Sequence, residues 1–224
     1  MSAETMKRKV DIATGEYYHI YNRGVEKRDI FINCSDYRRF ILLLNIFNEK
    51  RSVCVRDCKD ILRGGASGNK ETLVDIGAYC LMPNHFHILI KEKRDGGATS
   101  FMHKLTTGYT MYFNKKYQRV GPLFQGTFKS EHIDSDEYLK YLFSYIHLNP
   151  LKMIDDTWKE TGLADIISAK SFLDTYQYSS YLDYSNPQKF NSETLCKNSF
   201  PEYFPTSEDF DQNIFDWMNY KTNS

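Results

Sequence analysis

Residues 72–91 read TLVDIGAYCLMPNHFHILIK, and this stretch decides the fold. Thr72 to Leu81 is an apolar and aromatic run of strand length. Met82-Pro83-Asn84 interrupts it with turn residues, and His85 to Lys91 resumes the apolar pattern. Two such runs across a short Pro/Asn break predict an antiparallel hairpin. Upstream, Glu16 to Asn22 (EYYHIYN) predicts a strand closed by Asn22-Arg23-Gly24, with residues 1–14 a loose polar end. Ser35 is read as the N-cap of a helix over 36–50, where Phe40, Leu43, Leu44 and Phe47 recur at helical spacing. Downstream, Phe101, Leu105, Tyr109, Tyr112 and Phe113 predict a helix over 98–117, and Thr127 to Ile133 predict a further strand. Ser135 then caps a helix with the stripe Tyr138, Tyr141, Leu142, Tyr145 and Leu148, stopped by Pro150. Strand, helix, two strands, helix, strand, helix is the order of an α+β sandwich with an antiparallel sheet. The expected division is a core over 1–150, with an insertion at about 51–72, and a C-terminal helical extension over 151–224 packed on it.

The composition narrows the class. Hydrophobic residues make up 41% and charged residues 26% of 224, a globular balance. Aromatic residues reach 15%, and rings suit base stacking as well as core packing. The formal net charge is zero, but the charge is unevenly placed. Residues 1–129 carry 22 basic and 13 acidic side chains, and residues 130–224 carry 7 and 16. A neutral average therefore hides a basic region able to meet phosphates. No apolar run is long enough to span a membrane, and MSAETMKRKV lacks the apolar core of a secretory signal. Five irregularly spaced cysteines argue against a disulfide framework and for free thiols. Cys54 and Cys58 form at most half of a metal site. A cytoplasmic protein is expected.

Three constellations carry chemistry. In His85-Phe86-His87 the imidazoles stand at i and i+2 of a strand, on one face, with Phe86 on the other. Such a pair fits a metal clamp or an ordinary polar surface. Tyr145 and Asn149 stand at i and i+4, one helical turn apart. If that face meets the histidine strand, Asn149 Oδ1 supplies a third ligand beside the Tyr145 phenol, and positions remain open for a phosphate. An amide oxygen with phosphate oxygens directs the site toward Mg²⁺ or Mn²⁺ rather than zinc. The same stripe equally fits core packing, and a residue before proline is turned away from helical geometry. Lastly, Lys104, Lys115, Lys116, Arg119 and Lys129 alternate with Tyr112, Phe113, Tyr117 and Phe124, the mixture a single-strand groove uses. Arg23 is a further phosphate candidate. His147 is expected at the surface, and His103 and His132 are read as structural or exposed.

At these residues the chain resembles the REP-associated tyrosine transposases, relatives of the insertion-sequence-200-type transposases. The matching stretches are YYHIYNRGVEKRDIF (17–31), AYCLMPNHFHILIK (78–91), YTMYFNKKYQRVGPLFQGTFKS (109–130), YLKYLFSYIHLNPLK (138–152) and YQYSSYLDY (176–184). MPNHFH followed by YIHLNP is the most specific combination. One departure is Thr127, where members of the family often carry a basic residue. The resemblance implies a ferredoxin-like core, a divalent metal held by His85 and His87 with Asn149 as third ligand, and Tyr145 as nucleophile. It implies cleavage and rejoining of single-stranded, often hairpin, DNA through a 5′-phosphotyrosine link. Relatives differ in whether the tyrosine helix serves its own subunit or a neighbour, so a homodimer is among the expected forms. Two other readings use the same residues: a single-stranded DNA-binding module without transposition, and a metal phosphoesterase that uses water.

Overall fold

The computed structural model describes residues 11–51, 71–190 and 192–219. The insertion expected at 51–72 and Cys54 and Cys58 lie almost wholly outside the described residues, as do residues 1–10 of the loose end. In chain order the elements are β1 (Tyr17–Arg23), α1 (Cys34–Phe47), β2 (Val74–Met82), β3 (His85–Glu92), α2 (Gly97–Lys116), β4 (Lys129–Ile133) and α3 (Asp136–Leu148). The four strands form one sheet in the order β2-β3-β1-β4, every pair antiparallel. This is the expected α+β sandwich, and a sheet so ordered with two crossing helices is the ferredoxin-like arrangement.

Alternation along the strands sorts two cores. Tyr18 and Ile20 of β1 and Phe86, Ile88 and Ile90 of β3 face α1 and α2, where they meet Phe40, Leu44, Phe101, Leu105 and Tyr109. Leu89 of β3 and Ile133 of β4 face the other way, onto Leu139, Leu142, Phe143 and Ile146 of α3. Each fully buried side chain of this size stabilises by about 1.5–3 kcal/mol. A register shift between Ile76 and Ala78 in β2 reverses the alternation there. Val74 and Ile76 belong with α1 and α2, and so do Tyr79 and Leu81 beyond the bulge, while Ala78, Cys80 and Met82 face α3. At the bulge, a Cβ on Gly77 would stand 2.8 Å from the Phe200 ring.

The residues after Pro150 cover the outer side of α3. A short 3₁₀ turn (Asn149–Met153) leads into α4 (Trp158–Thr161), α5 (Ile166–Thr175), α6 (Tyr181–Ser185) and, after a 3₁₀ turn at Lys197–Ser199, α7 (Ser207–Asn219). A third apolar cluster joins Leu148 and Leu151 to Trp158, Leu173, Tyr181, Phe210 and Ile214. The 176–184 motif also seals the open edge of β2, where Leu81 N–H donates to Tyr178 O and Ser180 N–H to Tyr79 O, at 2.9 Å each. A covered edge cannot recruit another strand.

Two local readings change. The cap of α1 is Asn33, not Ser35: its side chain accepts from Ser35 N, while Asp36 returns a bond to Asn33 N in a capping box. His147 is not at the surface. It is fully buried, bonded at 2.7 Å to Ser180 Oγ and ringed by Tyr181, Tyr184 and Phe210. Burial lowers its pKa from 6.5 to about 3. The unfolded chain therefore binds a proton between these values that the folded chain does not. This contribution to stability is complete above about pH 6.5 and is lost as pH falls through that window, at up to about 1.4 kcal/mol per unit. Urea titrations across pH 4–7 are expected to show a slope shallower by up to about 1.4 kcal/mol per unit in His147→Gln than in wild type, the remainder coming from the other buried histidines.

Candidate functional site

On the α3 side of the sheet, polar residues gather where β1, β3 and β4 meet the middle of α3. Tyr21 pairs with His87 across β1 and β3, and His19 lies two residues along on the same face. His19 Nε2 and His87 Nδ1 are 2.8 Å apart, and His19 Nδ1 is 3.8 Å from Glu131 Oε2 of β4. Tyr21 donates its phenol proton to the other Glu131 oxygen at 2.7 Å. The Tyr145 ring closes the group edge-on, with centroids 5.7 Å from His87 and 6.0 Å from His19. Periodicity accounts for this: α3 turns Tyr138, Tyr141, Leu142 and Tyr145 toward the sheet, where with His19, Tyr21, His87 and Glu131 they line a cleft of about 330 Å³.

Burial lowers the pKa of His19 and of His85 to about 4 and holds that of His87 well below its usual value, so all three imidazoles are neutral at pH 7. Between two neutral rings only one proton is shared. If His19 donated, its Nδ1 lone pair would face the Glu131 carboxylate. The favourable assignment has His87 Nδ1–H donating to His19 Nε2, with His19 Nδ1–H directed at Glu131. His87 Nε2 then keeps a free lone pair. His85 reaches the same state by another route. Its Nδ1 is 2.6 Å from Asn84 Oδ1, an acceptor, so that nitrogen carries the proton and Nε2 is free. Two imidazoles held with neutral Nε2 atoms free by outer hydrogen bonds are of the kind that can bind a metal.

Among the described residues no three His, Cys, Asp or Glu side chains cluster for a metal, so a third donor from among them would be of another type. Asn149 is fully buried, donates Nδ2–H to Tyr145 O at 2.7 Å, and has an Oδ1 with no hydrogen-bond partner. Such an orphaned amide oxygen is costly unless something occupies it. The α-helix ends at Leu148, as expected ahead of Pro150, but the residue before the proline is not turned away from helical geometry. Asn149 keeps helical angles (φ −55°, ψ −36°), and the chain tightens into the 3₁₀ turn. This donor set, two neutral imidazoles and a buried amide oxygen, fits a divalent cation.

The phenol has its own environment. Burial raises the Tyr145 pKa, the Tyr141 phenol adds to the rise, and a hydrogen bond with the Asn149 side chain opposes it. Lys159, from α4, holds its ammonium 3.8 Å from the Tyr145 ring centroid. Burial, together with the charge of Lys152, lowers its pKa to about 8.

The residues expected to face DNA divide. Arg23, Lys115 and Lys129 are exposed, and Arg119 is half exposed, its guanidinium bonded to Asn114 Oδ1 at 2.9 Å. Phe124 is corrected to a core residue, and the ammonium groups of Lys104 and Lys116 are engaged within the fold. Lys104 Nζ ties down the segment that follows α1, donating to Glu49 O at 2.8 Å and Arg51 O at 3.2 Å. Lys116 Nζ is bound to the buried Asp36 carboxylate at 2.6 Å. Burial alone would raise the Asp36 pKa, but Lys116, Tyr117 and two backbone N–H groups outweigh it. Phe124 is 6% exposed, inside the α1/α2 core. His19, Glu131 and Lys159 were absent from the candidates. Only His19 had a signal, since Tyr17, His19 and Tyr21 alternate on one face of β1.

Among solved structures, the chain is similar to one described as the structure of the REP-associated tyrosine transposase bound to a REP hairpin. The identity is 13%, the TM-score 0.50, and the overlap covers 90% of this chain and 98% of that one. A tRNA(His) guanylyltransferase from Saccharomyces cerevisiae overlaps 88% of this chain and 86% of its own, with a TM-score of 0.36 and 13% identity. No curated protein matches the chain. The family model described as "Transposase IS200 like" matches residues 30–149, more than half of the chain, and that span contains His85, His87, Tyr145 and Asn149. The chain belongs to the IS200-like transposase family.

Proposed function

We propose that this transposase cleaves and rejoins single-stranded DNA with Tyr145 as nucleophile, and that His85, His87 and Asn149 hold a divalent cation, Mg²⁺ or Mn²⁺. The observation that carries this reading is the Tyr145 ring packed edge-on against His87, with the Asn149 amide oxygen left without a partner one turn along. Tyr145 Oη attacks phosphorus, the leaving 3′ oxygen takes the bond's electrons, and the 5′-phosphate stays on the tyrosine. The reverse attack by a 3′-OH rejoins the strand. When bound, the cation would polarise a phosphate oxygen.

The chain's own residues set the remaining conditions. The Asn149 side chain, one turn from the phenol, counters the rise in its pKa and so favours the ionised form. The Lys159 ammonium over the ring favours a phenolate over a phenol. Exposed Arg23, Lys115, Arg119 and Lys129 supply contacts to the phosphate backbone, which position DNA without reading it. A hairpin substrate is supported by the DNA named with the similar solved structure. Incubating a labelled single strand with Mn²⁺ is expected to yield a covalent protein–DNA species, suppressed by a chelator. Turnover of the strand with no such species would favour a water-using phosphoesterase.

The relay from Glu131 through His19 to His87 has its own consequence. His19→Phe keeps the ring contacts but removes the acceptor for His87 Nδ1–H. Mn²⁺ affinity is expected to fall by about 10–100-fold, the usual effect of losing an outer partner of a metal ligand. Titration calorimetry checks this without any DNA present, and unchanged affinity would remove the relay from the mechanism.

A further inference from the structure

A second cleft opens on the other side of Tyr145. It encloses about 200 Å³ between α3 and the extension, and its walls include Tyr141, Tyr145, Trp158, Lys159 and Trp217. The Tyr141 and Trp217 rings pack at 5.1 Å, and both residues reach solvent. Lys159 is half buried, and its contacts are with rings, Tyr145 at 3.8 Å and Trp158 at 5.6 Å. Among the described residues no carboxylate pairs with its ammonium. A partly desolvated cation in that position asks for an anion. Trp158, Lys159, Gly162, Trp217 and Met218 all lie beyond residue 149, outside the segment the family model matches.

We infer that this cleft is a nucleotide subsite, taking one unpaired base of the strand beside the scissile phosphate, with Lys159 on the phosphate and Tyr141 and Trp217 stacked on the base. The inference rests on the proposed DNA-cleaving function and adds to it a place where the extension contributes to substrate binding. Tyr145 forms one wall, so a strand whose phosphorus meets Tyr145 Oη carries an adjoining nucleotide past this opening. The walls are mainly apolar and aromatic with a single cation, which matches a base on its sugar phosphate and suits a stacking platform that accepts any base.

The test uses the full chain and a degenerate single-stranded oligonucleotide carrying 5-iododeoxyuridine, irradiated and mapped by mass spectrometry. Cross-links at Tyr141 or Trp217 are expected. Trp217→Ala is expected to weaken binding of the same oligonucleotide roughly 5- to 100-fold, the range for losing one stacked base. Tyr141→Ala, at a residue 36% exposed, serves if Trp217→Ala fails to fold. Lys159→Met should weaken binding and reduce its salt dependence, whereas a purely structural lysine would leave the salt slope unchanged. Cross-links found only elsewhere, or wild-type affinity in both ring variants, overturn the subsite. If the wild type still forms its covalent DNA species in that case, the cleavage reading stands. If it neither binds the strand nor forms that species, both fall.

Discussion

Replacing Tyr145 with phenylalanine is expected to abolish the covalent protein–DNA species while leaving the fold and strand binding intact. The packing of the ring is what makes this substitution informative. Its edge-on contacts with His87 and His19 and the ammonium above it involve only the ring, and phenylalanine keeps them all. The one atom lost is the proposed nucleophile. In covalent enzymes, removing the attacking atom lowers turnover by a factor on the order of 10⁶, which puts the variant beyond detection in a gel assay. Tyr141→Phe is the matched control. Tyr141 lies on the same stripe with its ring 5.9 Å from that of Tyr145 and is more exposed, so its hydroxyl is the alternative nucleophile within reach. Adduct formed by Tyr145→Phe but not by Tyr141→Phe would transfer the role.

His87→Ala is expected to have the next largest effect. His87 is 7% exposed and holds two positions at once, as the Nε2 donor and as the partner of His19 Nε2. Its loss would remove a proposed ligand and leave the His19 Nε2 without its partner. Polarisation of a phosphate by a cation supplies several kcal/mol, and each ~1.4 kcal/mol is a factor of ten, so cleavage should fall by roughly 10³. Mn²⁺ affinity should fall in parallel, measured by calorimetry without DNA. Stability should drop by about 1–3 kcal/mol, the penalty for an unsatisfied buried group. Unchanged Mn²⁺ affinity would show that the cation sits elsewhere and would confine His87 to packing. A cleavage defect without an affinity defect would make it a positioning residue instead.

The periods of the sequence were enough to place most of the elements. Each strand and helix of the core was legible because a strand alternates every second residue and a helix repeats near 3.6, and the apolar residues obey one or the other. Pro83-Asn84 marked the hairpin. His85 and His87 were legible as a pair on one face, and Tyr145 with Asn149 as a pair one turn apart, because both relations are local. The family motifs then joined the two pairs, which spacing alone left open.

What stayed hidden was set by contacts between distant segments. His19 comes 68 positions before its partner His87, and Glu131 lies 112 beyond His19. Only strand register brings the three together, and register is a property of the folded sheet. Lys104 and Lys116 look like any basic groove in one dimension, yet one ties down the chain after α1 and the other neutralises a buried carboxylate. Phe124 looks like a stacking platform and is core. His147, two residues from the candidate nucleophile, looks exposed until the extension covers it. By itself, then, the sequence determined the α+β core, the histidine strand and the tyrosine helix, since local periodicity encodes which face each side chain takes. The tertiary structure alone decided which lysines are free, which imidazole orients another, and what closes over Tyr145, because these depend on burial and on pairs far apart in the chain.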